Sequence, residues 1–255
     1  MVIVLVSKSI NHKILSYYNN LNIIIYVVTP LKYDTSFTTY NNIKFINDSE
    51  FLDRNEYDLI FDKVFEFEKA YFNSYRNWYY QQFLKYYIVL KLNYDKIHII
   101  DGDSILDANY ISNNKFLYTN HKIDKRYNNF NKIFGFTTLN FNFITNQMVF
   151  EKEKLIQLLQ KISVNENNIC NHFLNLLKNK NYQFSEYQLY YTFLYNTYNY
   201  QIQKVKVHRR FDLLNVDINT ALKHYTLISF ENEHKTDIFR KIKSKLLYFL
   251  KFNYG

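Results

Sequence analysis

The sequence predicts an α/β fold with a mainly parallel central sheet, and three observations predict it. Short apolar runs at Val2–Val6, Leu21–Val28 and Lys96–Ile100 read as strands, and stretches of helical length lie between them. The third of these strands ends directly on two carboxylates, Asp101 and Asp103. Strands alternating with helices imply parallel pairing, and open sheets of that kind bind ligands beyond the C-terminal ends of their strands.

Taken in order, Val2–Val6 is a first buried strand, and Asn11–Asn20 is polar enough for a helix or a loop. Leu21–Val28 is the second strand and Ile43–Ile46 a weaker third; Asn47–Glu56 is acidic and loop-like, and Tyr57–Phe61 reads as another short strand. Arg76 to Leu92 is the clearest helix of this half, followed by the strand Lys96–Ile100. Lys115–Thr119 is a further strand, and the basic stretch His121–Lys132 reads as a loop over the site. Phe141–Thr145 is strand-like, and Glu151–Ser163 is an amphipathic helix with Leu155, Leu158, Leu159 and Ile162 on one face. Ser185 to Tyr198 reads as a helix with Ser185 as N-cap and Gln188 at the capping-box position. Gln201–Val207 and Tyr225–Phe230 are the last strands. The length of 255 residues suits one sizeable domain or one and a half. A catalytic domain over 1–235 and a basic helix over 236–255 are expected.

Composition narrows the class. The 26 Tyr and 23 Phe against one Trp fit the bias of an AT-rich genome, so an individual tyrosine is not by itself a binding residue. Only three Gly and one Pro are present, which leaves turns to Asn and Asp, the side chains that best tolerate left-handed backbone. A single cysteine, Cys170, rules out an intramolecular disulfide and fits a reducing compartment. The N-terminal apolar run is too short for a signal peptide or a membrane span. A cytoplasmic protein is expected. A net charge of +9 favours an anionic partner such as a nucleotide diphosphate, a membrane surface or nucleic acid.

Three segments carry chemistry. In Lys96–Leu106 the two aspartates stand one residue apart at a strand end, where both can meet one divalent cation. Magnesium and manganese take hard oxygen ligands and are held jointly by one or two carboxylates and a diphosphate. Gly102 between them lets the backbone pass close to a ligand. Read blandly, the same tripeptide is an Asx-rich turn. In Arg76–Val89, helical projection gathers Trp78, Gln82, Lys85 and Val89 on one narrow face with Gln81 beside it. That face is either solvated or a place to stack a base or sugar, with Lys85 near phosphate. In Phe184–Leu194, Glu186 occupies the first turn of a helix, where the dipole favours a carboxylate. It is a good helix start and also a candidate to accept a proton from a hydroxyl.

Together these segments resemble a family. The order W-x-x-Q-Q-x-x-K (Trp78 to Lys85), D-x-D (Asp101 to Asp103), T-x-x-M-x-F (Thr145 to Phe150) and S-E-Y-x-L-Y (Ser185 to Tyr190) is similar to a group of GT-A glycosyltransferases found in bacterial surface-polysaccharide loci and large DNA viruses. The resemblance covers roughly residues 1 to 230. It implies a Rossmann-like nucleotide-diphospho-sugar transferase that holds its donor, with UDP-sugar first in expectation, through Mn²⁺ or Mg²⁺. By that pattern Asp103 is the firmer metal ligand, and Asp101 shares ribose and metal. Val6, Ser7 and Lys8 contact the nucleotide, with Trp78, Gln81, Gln82, Lys85 and Gly102 also on the donor side. Thr145, Asn146, Gln147 and Tyr187 fall on the acceptor side, and Glu186 faces the acceptor or the sugar. Asn146 and Gln147 stand where the pattern often has a charged residue or a His, which leaves the acceptor open. Such enzymes often add a late histidine to the metal. His208, beside Arg209 and Arg210, is the first candidate, ahead of His224 and His234.

The expected reaction transfers a sugar to a glycan or glycolipid hydroxyl, with Glu186 as base if the enzyme inverts. The tail sets Ile238, Phe239, Ile242, Leu246, Phe249 and Leu250 against Arg240, Lys241, Lys243, Lys245 and Lys251. It is a basic amphipathic helix that either docks on the domain or rests on an anionic membrane. Two alternatives remain. A sugar-nucleotide nucleotidyltransferase would carry a Gly-rich phosphate loop, which Val6-Ser7-Lys8-Ser9 is not. A basic nucleic-acid-binding module gives no reason for paired aspartates, and no nucleic acid is expected as partner.

Overall fold

The structure is a computed structural model that describes residues 2–8, 11–21, 23–30, 40–111, 116–198, 200–209 and 217–230, with backbone alone at 208 and 209. The chain runs β1 (Val2–Val6), α1 (His12–Asn19), β2 (Ile25–Thr29), β3 (Ile43–Asn47), α2 (Arg54–Val64), α3 (Lys69–Lys91) and β4 (Lys96–Asp101). It continues β5 (Ser104–Leu106), α4 (Ala108–Ile111), β6 (Phe116–Tyr118), α5 (Lys125–Lys132), β7 (Gln147–Glu151), α6 (Lys152–Lys161) and α7 (Ile169–Leu177). It closes with α8 (Glu186–Tyr198), β8 (Ile202–Lys204), β9 (Val207–Arg209), α9 (Ile218–Leu222) and β10 (Leu227–Ser229).

The central sheet has the order β3-β2-β1-β4-β7. The pairs β1–β2, β2–β3 and β1–β4 are parallel, and β7 joins β4 antiparallel. The chain is thus mixed α/β with a mostly parallel central sheet. Both faces of that sheet are covered, which is why β1 and β4 read as nearly continuous apolar runs. Val2, Val4, Ile97 and Ile99 face a core shared with α2, α3, α6, α7 and α8. Ile3, Leu5 and Ile100 face a second core with α1, β5 and β10. Aromatic rings fill much of the first core, as in the stacked group Phe83, Phe173 and Phe184.

Several expectations change. Tyr57–Phe61 lies inside α2, not in a strand: Asp53 caps that helix by accepting from the Glu56 amide, and Tyr57, Phe61 and Val64 recur at helical spacing toward the core. His121–Lys132 is largely the helix α5, capped by Asp124, instead of a loop. The Phe141–Thr145 stretch makes one isolated bridge, Thr119 with Asn142, and the strand β7 begins only at Gln147. The long helix starts at Lys69, seven residues ahead of Arg76. Ser185 does cap α8, accepting from the Gln188 amide, but the Gln188 side chain turns away to the Phe143 amide and the Phe141 carbonyl. Asn and Asp side chains cap the helices at Asn11, Asp53, Asp124 and Asp217, in keeping with the scarcity of Gly. The tail 236–255 lies outside the described residues. Among them no helix is long and apolar enough to cross a membrane.

Candidate active site

The C-terminal ends of β1 and β4 meet side by side, Val6 paired with Asp101. The Gly102 amide donates to the Val6 carbonyl at 2.8 Å, and the Asp101 amide donates to the Asn146 carbonyl at 2.8 Å. This turn is tight against Ser7. A Cβ placed on Gly102 would lie 2.3 Å from the Ser7 Cβ and 2.8 Å from its Oγ, so no other residue fits without moving β1 or the turn. Asn146 supports the turn from the left-handed region, at φ 58°, and its amide nitrogen reaches the Ser104 and Ser229 hydroxyls at 3.3 and 3.1 Å.

Behind the turn lies a buried ion cluster. Lys85 Nζ is 2.6 Å from Asp101 Oδ1 and 2.6 Å from Glu186 Oε1. The Tyr187 hydroxyl donates to the same Asp101 oxygen at 3.1 Å, and the ammonium sits 4.3 Å from the Tyr187 ring centroid. Three residues of α3 at i, i+3 and i+4 converge on residue 186. Gln82 Oε1 accepts from its amide, Lys85 binds its carboxylate, and the Tyr86 hydroxyl donates to its carbonyl. Lys85 is 1% exposed and Gln82 is buried, whereas Trp78 and Gln81 on the same stripe are half-buried. The partners of Lys85 are carboxylates. Burial works against its charge, but Asp101 and Glu186 outweigh that and hold the ammonium above its ordinary pKa.

Glu186 has no exposed surface. Burial pushes its carboxyl up to about 7 against the pull of Lys85. The carboxylate is enclosed, with an ammonium on one oxygen: Glu186 holds Lys85, and Lys85 in turn holds Asp101. Tyr187 likewise serves Asp101, and burial together with that charge keeps its phenol protonated.

The other expected residues divide. Val6, Ser7 and Lys8 are beside the carboxylate pair: the Val6 carbonyl accepts from the Gly102 amide, Ser7 packs against Gly102, and Lys8 is exposed. Thr145 and Gln147 are buried and bonded to each other, and Gln147 also pairs with His98 at 2.7 Å. Asn146, between them, ties this segment to the turn through its carbonyl, which accepts from the Asp101 amide. Trp78 packs on Tyr79 and Tyr127, and Gln81 is half-buried one turn before Lys85. The backbone of His208 pairs with Ile228, so β10 stands between it and β5; its side chain lies outside the description, as do Arg210 and His234. His224 is at the opposite end of β10 from Asp103, whose carbonyl accepts from the Phe230 amide just past β10. Among the described residues no three His, Cys, Asp or Glu side chains are grouped to hold a metal.

His98, on β4, is 1% exposed, and burial lowers its pKa to about 4 although Gln147 pulls the other way. His98 and Glu186 give opposite pH dependences. His98 is depressed from 6.5, so its stabilising contribution is present above pH 6.5 and lost as pH falls toward 4. Glu186 is raised from 4.5, so its contribution is full below pH 4.5 and lost as pH rises through 7. Each slope is about 1.4 kcal/mol per pH unit, and the two oppose each other near pH 5–6. Glu186→Gln removes one of them. Measured by denaturant unfolding from pH 4.5 to 7, the variant is expected to gain on the wild type with rising pH, by up to about 3 kcal/mol. A constant difference between the two proteins would show that Glu186 titrates alike in both states.

No family model and no curated protein matches the sequence. Solved structures similar to the chain include an active-site mutant of LgtC, at 9% identity and a TM-score of 0.47, covering 97% of this chain and 95% of that one. Mouse xyloside xylosyltransferase 1 in its apo form is another, at 9% identity and a TM-score of 0.38, covering 89% and 96%. A third is the glycosyltransferase GlyE of Streptococcus pneumoniae, at 11% identity and a TM-score of 0.39; the match covers 95% of this chain and 59% of that one.

Proposed function

We propose that the protein is a GT-A glycosyltransferase that moves a sugar from a nucleotide-diphosphate donor, a UDP-sugar first, to a hydroxyl of a glycan or glycolipid. The observation that carries this reading is the Asp101–Gly102–Asp103 turn at the C-terminal end of β4, packed against the end of β1. Asp101, Asp103 and Glu186 stand against the single cation Lys85, so the cluster keeps a net negative charge in a chain that is basic overall. Such a site repels a bare diphosphate and accepts one together with a divalent cation.

The donor set fits that cation. Asp101 is 23% exposed, with one oxygen committed to Lys85 and Tyr187, and Asp103 is partly exposed with its Oδ1 accepting from the Ser104 hydroxyl. Both offer hard carboxylate oxygens suited to Mn²⁺ or Mg²⁺, and the donor diphosphate would complete the set. Bound there, the cation supplies Lewis-acid stabilisation to the departing nucleoside diphosphate. The protein's part is positional. Lys85 and Tyr187 hold Asp101 at one orientation, Glu186 and Gln82 hold Lys85's helix against α8, and Gly102 admits the close backbone pass. Ser7 and Lys8 stand where the nucleotide would lie.

The test is a screen of nucleotide-diphosphate sugars by thermal shift and by hydrolysis, with and without Mn²⁺, on the wild type and Asp103→Ala. A fitting donor at about a hundredfold excess over its Kd should raise Tm by about 5–10 °C, only with metal and only in the wild type. If no nucleotide sugar has a metal-dependent effect, the assignment fails.

A further inference from the structure

The structure assigns to Asn146 a positioning role at the carboxylate pair: this one residue holds both aspartates, Asp101 through its backbone and Asp103 through its side chain. The role rests on the donor-site reading for the cation that the aspartates would bind, and on hydrogen bonds alone for the positioning itself. The Asn146 carbonyl accepts from the Asp101 amide at 2.8 Å. Its side-chain nitrogen lies 3.3 Å from the Ser104 hydroxyl and 3.1 Å from the Ser229 hydroxyl. Those two serines face each other across β5 and β10 and have no exposed surface. The Ser104 hydroxyl in turn lies 3.1 Å from Asp103 Oδ1.

The polarity of this relay has one solution. A carboxylate accepts and does not donate, so the single Ser104 proton goes to Asp103 Oδ1. The lone pairs of the Ser104 oxygen then face Asn146, and only a donor fits opposite them. An asparagine amide has two protons, one for each serine. An acceptor in the same place would compete with Asp103 for the Ser104 proton. The backbone narrows the choice further. Residue 146 stands at φ 58°, a left-handed position that few side chains besides Asn and Asp adopt readily. Of those two, only Asn donates. The residue is 7% exposed, and its neighbours Thr145 and Gln147 are bonded to each other, so the amide is held in place. Carboxylates that ligate a metal are themselves oriented by hydrogen bonds, and loss of such a partner costs about 10–100-fold in metal affinity.

The test uses the full chain and two variants that break successive links. Asn146→Gly keeps the left-handed backbone and the carbonyl but removes the amide; Ser104→Ala removes the next link. In metal-free protein the ¹³C carboxyl resonance of Asp103 should move in Asn146→Gly, a residue it does not touch, and in the same direction as in Ser104→Ala. The double variant should move it no further than Ser104→Ala alone. Binding of Mn²⁺ alone, followed by electron paramagnetic resonance, should weaken roughly tenfold in each single variant and not multiply in the double. Asn146→Asp keeps the shape and the backbone preference but offers acceptors, so it should lower Tm more than Asn146→Gly does. A tie that serves only the fold would lower Tm in Asn146→Gly while leaving the Asp103 resonance in place, and that outcome overturns the proposal. Additive effects in the double variant, or a smaller loss of Tm in Asn146→Asp, also overturn it. A wild type that binds no Mn²⁺ defeats the donor-site reading instead, and the Asp103 resonance of the metal-free protein still decides the role of Asn146.

Discussion

Lys85→Met should destabilise the protein by about 3–5 kcal/mol and abolish donor-dependent activity. Lys85 is 1% exposed and lies 2.6 Å from each of two carboxylates. Its removal leaves Glu186 buried among apolar and aromatic side chains with no cation. The charge then neutralises by taking a proton, and Asp101 loses the group that fixes Oδ1. Because the two partners act as a unit, Lys85→Met/Glu186→Gln should cost less than the sum of the single changes, by 1 kcal/mol or more on the order of such couplings. Activity should not return in the double variant, since Asp101 is still held only by Tyr187. Chemical denaturation and an activity assay on the four proteins of the cycle provide the check. Strict additivity would mean that Lys85 and Glu186 do not interact.

Gly102→Ala is the second large effect. The new methyl carbon would sit 2.3 Å from the Ser7 Cβ and 3.1 Å from its Cα, so rotation of a side chain cannot relieve the contact. Either the end of β1 or the D-x-D turn must shift. Overpacking of this kind costs about 1–3 kcal/mol, and the shift displaces both aspartates from their place beside Ser7. A displacement near 1 Å in a positioning element lowers rate by about a hundredfold. The expected outcome is a modest fall in Tm with a much larger fall in kcat/KM. Ser7→Gly introduced alongside should recover part of both, because it removes the Cβ and Oγ that the alanine meets. No recovery in the double variant would refute a steric origin.

How much of this was legible in the sequence follows from the range of the interactions. The strands β1 and β4 and the carboxylate pair are local features: an apolar run covered on both faces, ended by Asp-Gly-Asp. The stripe Gln82–Lys85 is visible too, but its destination is not, because helical projection shows a face without showing what packs there. Glu186 lies 101 residues further on, and its first-turn position suits a cap as well as an active base. Tyr57–Phe61 suits a strand by composition, and the Asp53 cap decides for a helix only once Glu56 is bonded to it. Gln188 could have closed a capping box, yet it meets the unpaired backbone at Phe141 and Phe143.

The bond between Lys85 and Glu186 also carries a kinetic consequence. It closes a loop of 101 residues, and such closures come late because their entropic cost precedes any reward. A chain still emerging from the ribosome could pair β1 with β2 and β4, yet its Asp101 would stay unanchored until α8 is synthesised and docks. Competence to hold the donor should therefore be the final event of folding, trailing the appearance of the sheet. A nucleotide sugar present during refolding would stabilise the finished protein without hastening its formation.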